Sequence, residues 1–404
     1  MGGLEVRNYW SFATAGEIIL GNGSINSLGE IIGKFKARNV LIVCDPGIKQ
    51  AGIMDKALGI LAEAGLNVIA YDQAEPEPPV CKAIECYQFA KNQNIEVIVG
   101  LGGGSSIDLA KVVAVLLTYG GDPKQYFGEF KVPGPVLPLI AVPTTSGTGT
   151  EVTPAAVLTD EEANLKVGVS DNYIRPAVAL VDPELTLGLP PHITAHTGMD
   201  VLCHAIEAYT AVEYRYLPVT GPAIYQGTYE LTDTLALKSI ELAAKSLRLA
   251  VEQGHNLQAR ADMALASVLA GMAFSNAGVG AAHALAYPIG AECHAPHGLL
   301  VGLLLPHVME YNLPVQQERF ARVAVAMEEN INGLSVKAAA MAAVNGIKDI
   351  IADIKMVSRL RDLGIQEDLL PLLAERTLAV TRLLRSNPRR LTAKDMEGIL
   401  RNAY

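Results

Sequence analysis

Two side chains that can ligate a metal ion lie four residues apart in the sequence. Asp200 and His204 both fall in TGMDVLCHAIEAY, a stretch with helical character, so their side chains leave the same face of a helix. A carboxylate and an imidazole at that spacing can hold one divalent cation. His283 in HALAYP and His297 in APHG are two further candidate ligands. Together these four residues predict a metal site.

The distribution of histidine supports this location. All eight histidines lie between His192 and His307, and the first 191 residues contain none. Any single histidine is more often a core or surface residue with a hydrogen bond than a ligand, and we leave His192, His196 and His255 in that group. His294 and His307 stay open because both are close in sequence to the candidate ligands.

A glycine-rich stretch offers a second kind of chemistry. Residues 100–111 read GLGGGSSIDLAK, directly after a predicted strand and at the start of an amphipathic helix. Glycines let the backbone approach a ligand, and a helix N-terminus presents free N–H groups to a phosphate. An ordinary glycine-rich turn explains the stretch equally well. It is not the usual dinucleotide fingerprint, because Ser105 replaces the third glycine. The acidic residue of that fingerprint should follow about 20 residues after the glycines, whereas Asp45 comes before them, at the end of an earlier strand.

A second polar loop follows another predicted strand. Residues 143–151 read PTTSGTGTE, and their hydroxyl groups can bind ribose, amide or phosphate groups. Alone, such a loop is more often simply solvated. Two loops of this kind, each at the carboxyl end of a strand, lie where α/β sheets bind their ligands. The pair therefore predicts a nucleotide site.

The elements that carry these loops have an α/β pattern. Short apolar runs predict strands over residues 39–44, 67–71, 96–99 and 139–142, with a helix over 81–91 among them. Continuous apolar strands separated by helices indicate a parallel sheet covered on both faces. We therefore predict an α/β domain over residues 1–187.

The second half of the chain has a different pattern. Ala- and Leu-rich stretches with helical periodicity include residues 235–251, 259–274 and 336–354, and β-type runs are almost absent. Gly188 and nearby prolines mark the change. We predict an all-helical domain over residues 188–404, with a ligand cleft between the two domains, as in many enzymes.

Composition excludes several classes of protein. Half of the 404 residues are hydrophobic and 18% are charged, unlike a disordered chain. The net charge of −10 disfavours binding to nucleic acid or to an anionic membrane. The five cysteines form no CxxC pair, and neither a signal peptide nor a membrane-spanning stretch is evident. We expect a cytoplasmic protein.

Six motifs occur in the order and spacing of a known family. They are LGGGSSID, PTTSGTGTEVT, DPELT, TGMDVLCHAIEAY, HALAYP and PHGLLVGLLLPHVMEYN. The sequence resembles the iron-containing (group III) alcohol dehydrogenases over nearly its whole length. The resemblance implies a Rossmann-like, dehydroquinate-synthase-like dinucleotide-binding domain followed by an all-α metal-binding domain.

The resemblance also implies roles for individual residues. It places one divalent metal on Asp200, His204, His283 and His297, with Fe2+ as the first choice and Zn2+ as the alternative. It implies an NAD site built from Gly102, Gly103, Gly104, Ser105, Asp108, Thr144, Thr145, Ser146 and Thr148. Lys166 and Leu185 are weaker matches. Asp45 would lie near the adenosine ribose and favour NAD over NADP.

This sequence departs from the family pattern at two places. Glu77 stands where asparagine is common, close to the expected cofactor. Tyr287 stands where many members have a second histidine that often transfers protons. Part of the family, including the hydroxyacid-oxoacid transhydrogenase branch, has tyrosine at this place. Tyr287 is therefore either a proton carrier or a packed aromatic residue. The long segment 212–231 also resembles that branch, and its Arg215 either binds a substrate carboxylate or lies on a solvated or subunit-facing surface.

These observations predict an NAD-dependent and metal-dependent alcohol dehydrogenase or aldehyde reductase. Its substrate would be a small primary alcohol or hydroxy acid, and the metal would act as a Lewis acid. A transhydrogenase with tightly held NAD and a non-redox, dehydroquinate-synthase-like enzyme are the alternatives. We expect a homo-oligomer, as a dimer or larger, that binds small molecules only.

Overall fold

The computed structural model describes residues 7–162, 165–219 and 221–404, which form two compact units. One unit is Ala13–Gly188, and the other joins Leu189–Tyr404 to residues 7–12. Residues 7–12 therefore belong to the helical unit although they precede the α/β unit in the chain. The division into an NAD-binding domain over residues 1–187 and a metal-binding domain over residues 188–404 stays a prediction.

The first unit is built around a parallel sheet. Its strands, in chain order, are β1 (Glu17–Leu20), β2 (Asn39–Val43), β3 (Asn67–Tyr71), β4 (Val97–Gly102), β5 (Gly128–Glu129), β6 (Leu139–Pro143), β7 (Ala155–Asp160), β8 (Leu165–Ser170) and β9 (Val178–Val181). Six of them form one sheet in the order β1-β9-β6-β4-β2-β3, and each neighbouring pair is parallel. The predicted parallel sheet is confirmed.

Helices cover both faces of this sheet. They are α1 (Leu28–Lys34), α2 (Pro46–Gln50), α3 (Ile53–Glu63), α4 (Val80–Ala90) and α5 (Gly104–Tyr119). Along β2, Leu41 and Val43 join the core beneath α4 and α5, whereas Val40 and Ile42 join the core beneath α1 and α3. Because both faces are buried, this strand has no polar alternation and could be recognised as an apolar run.

A small second sheet was not predicted. Strands β7 and β8 pair antiparallel, and β5 pairs parallel with β8. Burial alternates along β7, so only every second residue is fully enclosed. A half-exposed strand with this composition, AAVLTD, lacks the continuous apolar run that marked the central strands.

The second unit is helical, as predicted. Its helices are α6 (Pro191–Thr210), α7 (Glu230–Glu252), α8 (Leu257–Ala277), α9 (Ala281–Cys293), α10 (His297–Ala326), α11 (Val336–Asp353), α12 (Leu370–Thr377), α13 (Thr381–Leu384) and α14 (Ala393–Asn402). Small residues let these helices approach closely. A Cβ on Gly198 of α6 would lie 2.2 Å from Leu247 of α7, and one on Gly302 of α10 would lie 2.8 Å from Met199.

Helix α10 is long and apolar enough to cross a membrane by length and composition alone. However, 67% of its most apolar window is buried inside the protein. Leu300, Leu304 and Val308 belong to the main core of the helical unit. The hydrophobicity of α10 therefore reflects its position as a central core helix.

Candidate metal centre and nucleotide-binding loops

The four predicted metal ligands lie together in the helical unit. Asp200 and His204 leave the same face of α6, His283 lies in the first turn of α9, and His297 is the first residue of α10. The first three are buried. The side chain of His297 keeps 30% of its area exposed, so it marks the accessible side of the cluster.

All three imidazoles converge on one carboxylate oxygen. Asp200 Oδ1 lies 3.6 Å from His204 Nδ1, 3.6 Å from His283 Nε2 and 3.9 Å from His297 Nε2. Among the described residues, neither Asp200 Oδ1 nor His283 Nε2 has a hydrogen-bonding partner, although both atoms are buried. Buried polar atoms without partners are costly, and a cation among these donors would satisfy them. The arrangement fits a divalent ion.

Charge is concentrated at this cluster. Burial alone would raise the pKa of Asp200, but the facing histidines, His204 foremost, lower that pKa to about 2. The carboxylate is therefore ionised at neutral pH. An ionised carboxylate with imidazoles is a borderline donor set that suits iron(II) and zinc alike.

Glu207 is a site residue that the sequence analysis missed. It lies one turn after His204 on α6, is 5% exposed, and its Oε2 lies 2.6 Å from His283 Nδ1. Backbone N–H groups of Gly280 and Ala282 also donate to this carboxylate, at 2.8 and 2.7 Å. Its position seven residues after Asp200 put it on the same helix face, which was a usable signal.

Aromatic rings lie beside the predicted ligands. The ring of Phe274 stacks on His204 with centroids 4.0 Å apart, and His204 in turn stacks on His283 at 4.5 Å. Tyr287 lies one helical turn after His283, with its ring centroid 6.3 Å from that of His297. It also packs against a small apolar cluster that includes Leu383. Both interpretations of Tyr287 are therefore compatible with its position.

The two predicted nucleotide loops meet in the α/β unit. Thr144 N–H donates to Gly102 O at 3.0 Å, and a Cβ on Gly104 would lie 2.7 Å from Thr148 Cγ2. Gly102 has a φ of +147°, a conformation that favours glycine. Gly103 is the N-cap residue of α5, so the first N–H groups of that helix lack intrahelical acceptors. Thr145 lies beside Gly103 and Ser146 is buried.

Asp45 lies at the point where the strand order reverses. The chain runs from β2 to β3 on one side and then returns to β4 on the other side of β2, so the ends of β2 and β4 flank a switch point. Asp45 Oδ1 accepts from Gly47 and Ile48 N–H at 2.9 and 3.2 Å and thereby caps α2. Its Oδ2 accepts from Ser106 Oγ at 3.1 Å.

Asp108 faces the protein interior. Its Oδ1 accepts from Thr150 Oγ1 at 2.5 Å and its Oδ2 from Val157 N–H at 2.9 Å. Burial raises the pKa of Asp108, while Lys111 opposes that shift. These contacts leave the carboxylate engaged with the loop after β6, and its direct contact with a cofactor stays a prediction.

Lys166 and Ser105 both contact the turn at Glu77. Lys166 Nζ lies 2.5 Å from Glu77 Oε1, and Glu77 N–H donates to Ser105 Oγ at 3.1 Å. Glu77 has a φ of +50°, so the turn holds a non-glycine residue in the left-handed region. The structure thus joins the residue that departs from the family pattern to the glycine-rich turn.

Leu185 is buried in the core beneath the sheet.

The segment 212–231 contacts Trp10 and Ser11, near the N-terminus. Gln226 exchanges hydrogen bonds with Ser11, and Tyr229 stacks on Trp10 with centroids 4.3 Å apart. Arg215 pairs with Glu213 at 2.8 Å and lines a cavity of about 420 Å3. Among the described residues that line this cavity, none is a predicted metal ligand. The segment has an architectural role here, and acid recognition by Arg215 stays a prediction.

The family models "Iron-containing alcohol dehydrogenase" and "Fe-containing alcohol dehydrogenase family, C-terminal" match residues 15–183 and 194–404. The chain is 38% identical to 1,3-propanediol dehydrogenase of Citrobacter freundii, across 95% of this chain and 96% of that protein. It is 35% identical to NAD-dependent methanol dehydrogenase of Bacillus methanolicus, across 95% and 97%. A crystal structure of 1,3-propanediol oxidoreductase superposes with a TM-score of 0.93 at 37% identity, across 98% of this chain and all of that one (100%).

Proposed function

This chain belongs to the iron-containing alcohol dehydrogenase family, and we propose that it oxidises a small primary alcohol or hydroxy acid reversibly with NAD. Membership makes it an oxidoreductase of alcohols and aldehydes. The observation that carries the proposal is the convergence of three imidazoles on Asp200 Oδ1, at 3.6–3.9 Å. A protein that only binds nucleotides would have no use for such a buried donor set.

Asp200, His204, His283 and His297 would hold one divalent cation, with Fe2+ preferred over Zn2+. When bound, the cation supplies Lewis acidity that lowers the pKa of a substrate hydroxyl, and NAD accepts the hydride. The chain's own contribution begins with Glu207, which keeps the Nε2 atom of His283 turned toward Asp200. Tyr287, beside His297, would carry the hydroxyl proton away.

The glycine-rich turn, residues 102–105, and the threonine loop, residues 144–148, would hold the dinucleotide. The start of α5 offers N–H groups to the pyrophosphate, and Gly102 and Gly103 allow a close approach of the backbone. The hydroxyls of Thr144, Thr145, Ser146 and Thr148 would serve the rest of the cofactor. Asp45 at the switch point would accept a hydrogen bond from the adenosine ribose and disfavour a 2′-phosphate.

A metal-replacement experiment tests this function. The purified protein is stripped with a chelator, reloaded with Fe2+ or Zn2+, and assayed for NADH release with short alcohols, diols and hydroxy acids. We expect activity to follow metal content and His283→Ala to lose both together. His255→Ala, at an exposed loop histidine, is the matched control and should lose neither.

Two results would change the conclusion. If His283→Ala keeps its full metal content and a near-normal kcat, the metal assignment is wrong. If free NADH never accumulates with an alcohol alone and a second carbonyl substrate restores turnover, the enzyme is the transhydrogenase considered above.

We further propose that the enzyme acts in the cytoplasm as a homodimer. The cysteines at 44, 81, 86, 203 and 293 are all free thiols in the described chain, which suits a reducing compartment. Light scattering after size-exclusion chromatography measures the mass directly, and a monomer would refute the oligomeric proposal.

A further inference from the structure

Lys111 on α5 is fully buried, with 0% of its surface exposed. Its ammonium lies 2.6–3.1 Å from five oxygen atoms that belong to Thr150, Thr153 and Ala155. Three of these oxygens are backbone carbonyls, so the contacts constrain the path of the chain itself. Lys111 thus binds the stretch that directly follows the threonine loop.

Asp108, one turn before Lys111 on α5, binds the same stretch. Its carboxylate accepts hydrogen bonds from the hydroxyl of Thr150 at 2.5 Å and from the N–H of Val157 at 2.9 Å. Thr150 is therefore held by both charged residues at once, since its Oγ1 also lies 2.7 Å from Lys111 Nζ. A hydroxyl is suited to this place because it can donate to a carboxylate and accept from an ammonium together.

The contacts continue from Thr150 back to the start of α5. Thr150 N–H donates to Thr148 Oγ1 at 3.3 Å, and Thr148 lies against Gly104 so closely that a Cβ there would be 2.7 Å from Thr148 Cγ2. The same helix that presents the glycine-rich turn therefore also holds the threonine loop. These contacts therefore fix the distance between the glycine-rich turn and the threonine loop.

Stability alone does not explain these buried charges. Removing two charges from water is costly, and an apolar core of similar volume is often at least as stable as a buried ion pair. The charged pair instead fixes the position of the loop, because each hydrogen bond requires a particular geometry of donor and acceptor. A binding loop benefits from that precision, since misplacement by about 1 Å costs large factors in function.

We propose that Asp108, Lys111 and Thr150 form a latch that holds the threonine loop, residues 144–148, in register with the glycine-rich turn and so sets the affinity for the dinucleotide. In this role the three are positioning residues, which act through the loop. The inference rests on the proposed NAD binding.

The test compares Thr150→Val with Thr150→Ser. Valine has nearly the shape of threonine but cannot bridge Asp108 and Lys111, whereas serine keeps the hydroxyl. Lys111 retains four oxygen partners, which are the carbonyls of Thr150, Thr153 and Ala155 and the hydroxyl of Thr153, so the fold should survive. Asp108→Asn is a second variant, because an amide keeps only one acceptor oxygen. Thr118→Val, at the far end of α5, removes a hydroxyl outside the latch and is the control.

Two measurements separate the latch from general destabilisation. Hydrogen–deuterium exchange reports the protection of the amides of residues 144–148 without any cofactor. Calorimetry gives the Kd for NAD. We expect Thr150→Val and Asp108→Asn to speed exchange in that loop and to raise the Kd roughly tenfold or more. Thr150→Ser and Thr118→Val should stay within about twofold of the parent protein, and metal content should not change.

The outcomes distinguish the latch from the proposed function. If Thr150→Val lowers the melting temperature but leaves loop exchange and the Kd for NAD unchanged, the latch is refuted and the network is only structural. If Thr150→Ser loses as much affinity as Thr150→Val, the hydroxyl bridge is also refuted. If the parent protein binds no NAD while loop exchange still responds as expected, the proposed cofactor is wrong and the loop-holding role of the latch stands.

Discussion

Glu207 Oε2 lies 2.6 Å from His283 Nδ1, and this contact decides which nitrogen of the imidazole faces Asp200. Metal-bound histidines commonly give their second N–H to a carboxylate in this way. The carboxylate is itself fixed by backbone N–H groups of Gly280 and Ala282, so three donors share its two oxygens. Glu207 therefore orients His283, one of the four predicted ligands.

Glu207→Gln is expected to weaken metal binding by about 10–100-fold. The new amide has one oxygen, so its NH2 group must face at least one of the three donors. Competition with a fluorescent chelator measures the affinity for Fe2+ or Zn2+ apart from activity. Glu213→Gln, in a pair with Arg215 outside the ligand cluster, is the control. An affinity equal to that of the parent would show that Glu207 does not orient His283.

Asp45→Asn is expected to reduce the preference for NAD over NADP by about tenfold, the factor that 1.4 kcal/mol provides. Asparagine can still cap α2 through Gly47 and Ile48, whereas alanine would lose the cap as well as the charge. The measurement is the ratio of kcat/KM for the two cofactors, with the melting temperature as a check on the cap. A parent enzyme that uses both cofactors equally would contradict the role of Asp45.

Tyr287→Phe is expected to lower kcat by at least about tenfold while the melting temperature stays the same. Phenylalanine keeps the packing against Leu383 and removes only the hydroxyl that would carry the proton. The profile of kcat against pH should change shape as well as height. An unchanged kcat over the whole pH range would leave Tyr287 with the packing role alone.

Glu151 should make the stability of the protein depend on pH. Burial raises its pKa to about 7, from 4.5, whereas Lys111 partly opposes the shift. A group whose pKa is raised on folding favours the protonated folded state, so its contribution is complete below pH 4.5 and disappears as the pH rises through about 7. The loss amounts to at most about 3 kcal/mol.

Thermal melts of the parent and of Glu151→Gln between these two pH values check the effect. The variant cannot ionise at this position, so its stability relative to the parent should improve as the pH rises. Lys111 titrates higher, with a pKa that burial lowers to about 8, and does not mask this window. A difference between the two proteins that is constant with pH would show that Glu151 does not titrate there.

Local patterns were sufficient for the main features of both units. The strands β2, β4 and β6 could be predicted because both of their faces are buried, which leaves continuous apolar runs. The edge strand β3 is only partly buried, yet its sequence NVIAY is also a short apolar run. Asp200 and His204 could be paired because helical spacing alone places them on one face. The two polar loops could be placed together because the carboxyl ends of parallel strands lie at one edge of a sheet.

Other features depended on contacts between distant parts of the chain. Nothing near Glu207 in the sequence shows that His283, 76 residues later, will meet its carboxylate. Asp108 matched a cofactor position by resemblance, but its hydrogen bonds to Thr150 and Val157 depend on the folded loop. The direction of a buried polar side chain depends on which donors and acceptors tertiary packing delivers, because each must find a partner once water is excluded. The sequence by itself therefore determined the elements and the kinds of side chain available for chemistry, while the tertiary structure decided which of them face the site and which hold it in place.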